Sequence, residues 1–261
     1  MLIIGYKQPV PHETITLFPM PTHLITAILL TVTLMGCASR PPAPDLPTVT
    51  PALGEWHEGE IEAYERADAQ AMPDKGQVLF IGSSSVRMWK TLAEDMAPAP
   101  VINRGFGGSK TPEVLAVVDR IVFPYEPSVI VYYCGDNDLG TDNTDAESAV
   151  AGFIQFAELV HERLPKTKIL YMSIKPSVAR WSNWEAMTRA NVLVARYCGR
   201  HEHAYYMDLA TPLLKNGEPD PSLFKEDGLH LNAVGYARWT KVVQPLVLEA
   251  FRESYTGELP F

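Results

Sequence analysis

From residue 76 onward, two apolar patterns alternate along the chain. Four unbroken runs read as strands buried on both faces: Val78-Leu79-Phe80-Ile81, Val101-Ile102, Val129-Ile130-Val131-Tyr132-Tyr133 and Ile169-Leu170-Tyr171-Met172. Tyr205-Tyr206-Met207 is a weaker fifth. Helical signals fill the intervals. Thr111-Pro112 predicts an N-cap with proline in the first turn. Thr144-Asp145-Ala146-Glu147 has the form of a capping box, and Val150, Phe153, Ile154, Ala157 and Val160 follow on one helical face. Further helices are expected from Trp184 to Cys198 and from Asn232 to Phe251. This alternation implies an α/β fold, with a mostly parallel sheet of about five strands and helices on both faces. Ligands of such sheets bind beyond the carboxyl ends of the strands.

The N-terminal part follows a different rule. Residues 24–35 are apolar and uncharged, a run too short to span a bilayer comfortably but suited to an export signal. The run ends in Leu34-Met35-Gly36-Cys37, which resembles the bacterial lipoprotein cleavage box. That resemblance implies a signal peptide over 1–36, a lipid on the Cys37 thiol, and anchoring to a membrane of the bacterial cell envelope. The resemblance to Gram-negative lipoproteins further implies an outer-membrane address, from Ala38 and Ser39 after the cysteine. Lys7 is the only basic residue before the run, and Met20 is an alternative start. Pro41, Pro42, Pro44, Pro47 and Pro51 make residues 37–55 read as an extended tether, with the folded domain over 56–261.

A formal charge of −9 argues against nucleic acid as a partner. With Cys37 set aside, Cys134 and Cys198 remain, one after a central strand and one on a helix, and two buried free thiols are expected. His57, His161, His201 and His203 lie in polar contexts and read as solvated. His201 and His203 have no acidic or cysteine partner nearby, so no metal site and no cofactor are assigned.

Four clusters remain, and three of them directly follow strand-like runs. Gly82-Ser83-Ser84-Ser85 offers hydroxyls near a helix start, where negative charge is favoured. Gly105, Gly107 and Gly108 allow backbone N–H groups to approach a ligand. In Gly135-Asp136-Asn137-Asp138, Asn137 carries a side-chain amide able to donate to an oxyanion. Asp227-Gly228-Leu229-His230 pairs a base with a carboxylate that fixes its tautomer. These are the parts for acyl transfer by an activated serine.

In order, spacing and strand context, the clusters resemble the SGNH hydrolase superfamily of GDSL-type esterases and lipases, over about residues 76–250. The run from Leu79 to Trp89 is similar to the branch near the platelet-activating-factor acetylhydrolases. The resemblance implies a three-layer α/β/α sandwich with a flavodoxin-like sheet. It implies Ser84 as nucleophile, with His230 and Asp227 completing a triad. The N–H groups of Ser84 and Gly108 and the amide of Asn137 become the oxyanion hole. Ser83 stands where the family usually has aspartate, and Ser85 where leucine is common. The loop after the fourth strand carries Lys175, Arg180, Trp181 and Trp184, and Arg180 with the two tryptophans is read as a grip on the alcohol part of a substrate. The absence of a long apolar lid favours short acyl esters, acetyl esters of glycans among them. A competing reading is a catalytically inactive binding module of the same fold. A flavin or nucleotide binder is disfavoured, because the first loop has one glycine and no Walker lysine.

Overall fold

The computed structural model describes residues 46–141 and 144–254. Five parallel strands form the sheet: β1 (Val78–Gly82), β2 (Val101–Gly105), β3 (Val129–Tyr133), β4 (Lys168–Met172) and β5 (Ala204–Met207), in the order β2-β1-β3-β4-β5. Every residue of β1, β3 and β4 is buried, which is why these three, apart from Lys168 at the start of β4, are written as apolar runs. The edge strands β2 and β5 are only partly covered and carry polar or exposed positions such as Asn103, Arg104 and Tyr205.

One face of the sheet is covered by α1 (Glu55–Gln70), α4 (Thr111–Ala116), α5 (Val118–Ile121), the short α6 (Asp136–Thr141), α7 (Ala146–Arg163) and α8 (Trp184–Cys198). Phe153, Phe156, Val160, Met187 and Val194 pack there on Ile130, Tyr132, Ile169 and Tyr171. The other face holds the long C-terminal α9 (Ala233–Ser254) and the short α2 (Ser84–Arg87) and α3 (Leu92–Asp95), with Trp89, Trp239, Val243 and Val247 against Phe80, Val131 and Met172. This is the expected α/β/α sandwich. The sheet reverses direction of growth between β1 and β3, so their carboxyl ends frame the switch-point crevice.

Three local expectations are corrected. The segment 46–53 is not free tether: Leu46, Val49 and Leu53 pack on the core, and the Val49 and Ala52 N–H groups donate to Gln155 Oε1 and the Pro112 carbonyl, each at 3.1 Å. Thr111 is not an N-cap but the first residue of α4, and its hydroxyl and N–H both donate to Asp138, at 2.6 and 3.0 Å. The cap of α7 is Asp145 rather than Thr144, accepting from the Ser148 N–H at 2.7 Å. Cys134 and Cys198 are free and buried. The export signal, the cleavage box and Cys37 lie outside the described residues. Among the described residues no helix is long and apolar enough to cross a membrane.

Candidate active site

The site starts with a backbone constraint at the end of β1. Gly82 has φ +137°, and a Cβ there would lie 1.8 Å from the Tyr133 carbonyl oxygen, so only glycine fits. The Ser83 N–H then bonds that same carbonyl at 3.0 Å, and the chain turns directly into α2. Of the three serines after the glycine, Ser83 and Ser85 are buried and Ser84 is partly exposed. Ser84 Oγ lies 2.9 Å from His230 Nε2. The other ring nitrogen, Nδ1, lies 2.7 Å from Asp227 Oδ2.

The Asp227–His230 turn is held from both ends. Asp227 Oδ1 accepts the N–H groups of Leu229 and His230, each at 2.9 Å, so this carboxylate shapes the turn that carries its own partner. Burial alone would raise the Asp227 carboxyl; the hydrogen bonds from the His230 ring and from the two backbone N–H groups outweigh it and bring the group down to about 2. Asp227 therefore carries its charge throughout the neutral range. Downstream, Asn232 caps α9 by accepting from the Val234 and Gly235 N–H groups, and its amide donates to the carbonyls of Ser222 and Phe224.

The two remaining clusters reach the same crevice from β2 and β3. In the register of the sheet Gly82 pairs with Gly105 on one side and Tyr133 on the other. Gly108 takes φ +68°, with Trp56 so close that a Cβ would come 2.6 Å from the indole. The Gly107 N–H is accepted by Glu60 at 3.2 Å. The Asn137 Nδ2 donates to the Ser109 carbonyl at 2.9 Å, which ties the third cluster to the glycine loop. The sequence profile of the GDSL-like lipase/acylhydrolase family matches residues 80–238, a span that holds all four clusters.

The chain belongs to this family. It is a carboxylic ester hydrolase. Platelet-activating factor acetylhydrolase IB subunit alpha1 of Pongo abelii is 25% identical over 213 residues, which cover 75% of this chain and 84% of that protein. A GDSL-like lipase of Bacteroides thetaiotaomicron superposes with a TM-score of 0.61 at 18% identity, over 73% of this chain and 98% of that one. An acetylxylan esterase of Geobacillus stearothermophilus gives 0.53 at 16% identity, over 69% and 95%. Both structural likenesses are likenesses of fold.

On the GDSL-like fold the loop after β4 is placed differently from its reading as a substrate grip. Arg180 turns inward: Nη1 donates to the Asp136 carbonyl at 2.6 Å and Nη2 to Asn137 Oδ1 at 2.9 Å. Trp181 and Trp184 stack on each other with centroids 5.7 Å apart, and Trp184 packs on the core. Lys175, a loop residue in the sequence, is buried and bonds Asp136 Oδ2 at 2.6 Å and the Tyr133 hydroxyl at 3.2 Å. Burial would raise the Asp136 carboxyl, but Lys175, then Arg180, lower it below the usual range.

His57, read as solvated, is wholly buried, with Nε2 3.0 Å from the Gly107 carbonyl. Together with Glu60 it makes α1, which precedes the family match, a support for the glycine loop. The spacing of Trp56, His57 and Glu60 on one turn of helix was the one available signal. Among the described residues no group of three or more His, Cys, Asp or Glu side chains is arranged to hold a metal ion.

Proposed function

We propose that this chain is a serine esterase acting on short acyl esters, acetyl esters in particular, through a Ser84–His230–Asp227 triad. The observation that carries the reading is the continuous chain of hydrogen bonds from Ser84 Oγ through the imidazole to Asp227, at 2.9 and 2.7 Å. In the proposed reaction His230 takes the Ser84 proton as Oγ attacks the ester carbonyl, and Asp227 stabilises the imidazolium. The negative oxygen meets the N–H groups of Ser84 and Gly108 and the Asn137 amide. Among the described residues neither of those backbone N–H groups donates to a protein acceptor. His230 returns the proton to the leaving alcohol. Water then attacks the acyl-enzyme with His230 as base, so the proton balance closes within the triad.

Two features support a short acyl group on a polar alcohol. The site lies at an open turn, with Asp227 and His230 partly exposed. Concavities of about 230 and 360 Å³ among the described residues, one beside Val49 and Thr111 and one beside Tyr64 and Trp89, are lined by neither Ser84 nor His230. Acetylated glycans are the proposed substrates, in keeping with the acetylxylan esterase likeness. The chain is expected to release acetate from acetylated xylan or an acetylated envelope glycan, and to cleave p-nitrophenyl acetate faster than the octanoate. Absence of acetate release from a broad glycan panel, or a preference for the long ester, would remove this substrate class.

We also propose that the protein is a lipoprotein of the bacterial envelope, anchored through Cys37 after removal of residues 1–36. Support comes from the Leu34-Met35-Gly36-Cys37 box and the apolar run before it. Cells fed an alkyne fatty acid should label the native protein and leave Cys37→Ser unlabelled. Equal labelling of both would refute the anchor.

A further inference from the structure

Arg180 has no place in the proposed triad or oxyanion hole, and its guanidinium is engaged by protein acceptors. Its surroundings define another role. The guanidinium spans two neighbouring residues, with Nη1 on the Asp136 carbonyl at 2.6 Å and Nη2 on Asn137 Oδ1 at 2.9 Å. Asp136 Oδ2 lies 3.7 Å from Nη1 and is held in turn by Lys175. The stem of Arg180 lies over Gly140, where a Cβ would come 2.5 Å from Cδ and Nε, so the glycine makes room for this placement. The segment carrying Arg180, the 3-10 turn Val178–Asn183, is fastened at both ends. The Ala179 N–H donates to the Gly228 carbonyl at 3.0 Å, inside the Asp227–His230 turn, and the Asn183 amide donates to the Leu139 carbonyl.

We propose that Arg180 is a positioning residue that fixes the orientation of the Asn137 amide for oxyanion stabilisation, an inference that rests on the esterase reading above. The argument is one of donor and acceptor type. A guanidinium has donors only, so the Asn137 atom facing it must be the oxygen. The Ser109 carbonyl accepts only, so the atom facing it must be the nitrogen, as the 2.9 Å contact from Nδ2 shows. These two partners on opposite ends of one amide select a single flip. The flip turns the Nδ2 end of the amide toward the glycine loop and its Oδ1 end toward Arg180. A flipped or tilted amide would present its oxygen to a developing negative charge. The forked, planar shape matters as well, because one guanidinium restrains both the Asp136 backbone and the Asn137 side chain. The same turn also touches Gly228, so the base-bearing turn and the oxyanion amide share one brace.

The test is a double-mutant cycle on p-nitrophenyl acetate hydrolysis, with Asn137→Ala, Arg180→Met and the combined variant, each checked by thermal melting. Asn137→Ala should lower kcat by about a hundredfold or more, as loss of one oxyanion donor does. Arg180→Met should lower kcat by about ten- to a hundredfold with KM nearly unchanged, the scale for a misplaced catalytic group. In the Asn137→Ala background the same Arg180 change should add less than about threefold, since there is no amide left to position. Arg180→Lys keeps the charge, and therefore the fold, but cannot fork; it should show most of the kcat loss. A full multiplicative loss in the Asn137→Ala background, or full activity in Arg180→Lys, would overturn the positioning role while leaving the esterase reading intact. Full activity in Asn137→Ala would instead overturn the oxyanion assignment on which the inference stands.

Discussion

Ser84→Ala should lower kcat for p-nitrophenyl acetate by about 10⁴-fold or more and leave the thermal midpoint nearly unchanged. Losing a triad nucleophile removes the covalent route entirely, and what survives is the contribution of binding and the oxyanion donors. A factor of about 10⁴ corresponds to roughly 5.5 kcal/mol of transition-state stabilisation. The fold should not notice: Ser84 is partly exposed, and its side chain contributes one hydrogen bond, to His230. Such a bond is worth about 1 kcal/mol net. The neighbouring serines are the internal controls. Ser83 Oγ is buried without a hydrogen-bond partner, and Ser85 is buried beneath the Tyr236 hydroxyl, which donates to its carbonyl at 2.9 Å. Neither hydroxyl reaches the His230 ring, so Ser83→Ala and Ser85→Ala should each stay within about tenfold of the native rate. Removal of the Ser83 hydroxyl should be neutral or mildly stabilising, because a buried unpaired hydroxyl costs free energy in the folded state. Steady-state kinetics on the three variants decides the register: full activity in Ser84→Ala, or a collapse in Ser85→Ala, places the nucleophile elsewhere.

What made Ser84 and His230 visible in the sequence also explains what stayed hidden. β1, β3 and, after Lys168, β4 are buried on both faces, so each is spelled as an apolar run legible in the sequence. β2 and β5 lie at the sheet edges, and their signals are short for that reason. The proposed triad members sit directly after a strand or just before a helix, in clusters whose spacing survives in one dimension. Groups whose meaning depends on a distant partner had no such trace. Thr111 looks like a cap until Asp138, 27 positions on, takes its hydroxyl. His57 looks solvated until the Gly107 carbonyl, 50 positions on, covers it. Arg180 and Lys175 look like cations of a surface loop, and only folding brings them 43 and 39 positions back onto Asn137 and Asp136. The apolar residues of segment 46–53 are interrupted by Pro47 and Pro51, which makes it read as tether; its docking depends on distant partners, and three side chains, Leu46, Val49 and Leu53, accomplish it.

The buried pair behind the site gives the second large effect. Lys175→Met should destabilise the fold by about 3–5 kcal/mol at neutral pH, the usual cost of stripping one partner from a buried ion pair. Lys175 and Asp136 have side-chain exposures of 1% and 5%, so water cannot take the place of the lost ammonium. The effect should depend on pH, with a definite sign. In the native protein the Asp136 carboxyl is lowered: burial raises it, and Lys175, Arg180 and the Tyr133 hydroxyl more than reverse that. A lowered folded value means a contribution present above the unfolded value of about 3.9 and lost as pH falls through the folded one. In Lys175→Met burial prevails and the folded value rises above the unfolded one. The folded state then binds more protons than the unfolded state, so the variant's stability falls as pH rises from about 4 toward neutrality. The deficit relative to the native protein should thus be smaller near pH 4.5 than near pH 7.5. Urea unfolding at both pH values measures it, and equal deficits would show that the Lys175–Asp136 charge pairing is not what the mutation removed. Converting both members, Lys175→Met with Asp136→Leu, should recover part of the lost stability, because no buried carboxylate is left without its counter-ion. It should not recover esterase activity, since the Asp136 side chain sits one residue from the Asn137 amide and within 3.7 Å of the guanidinium that orients it.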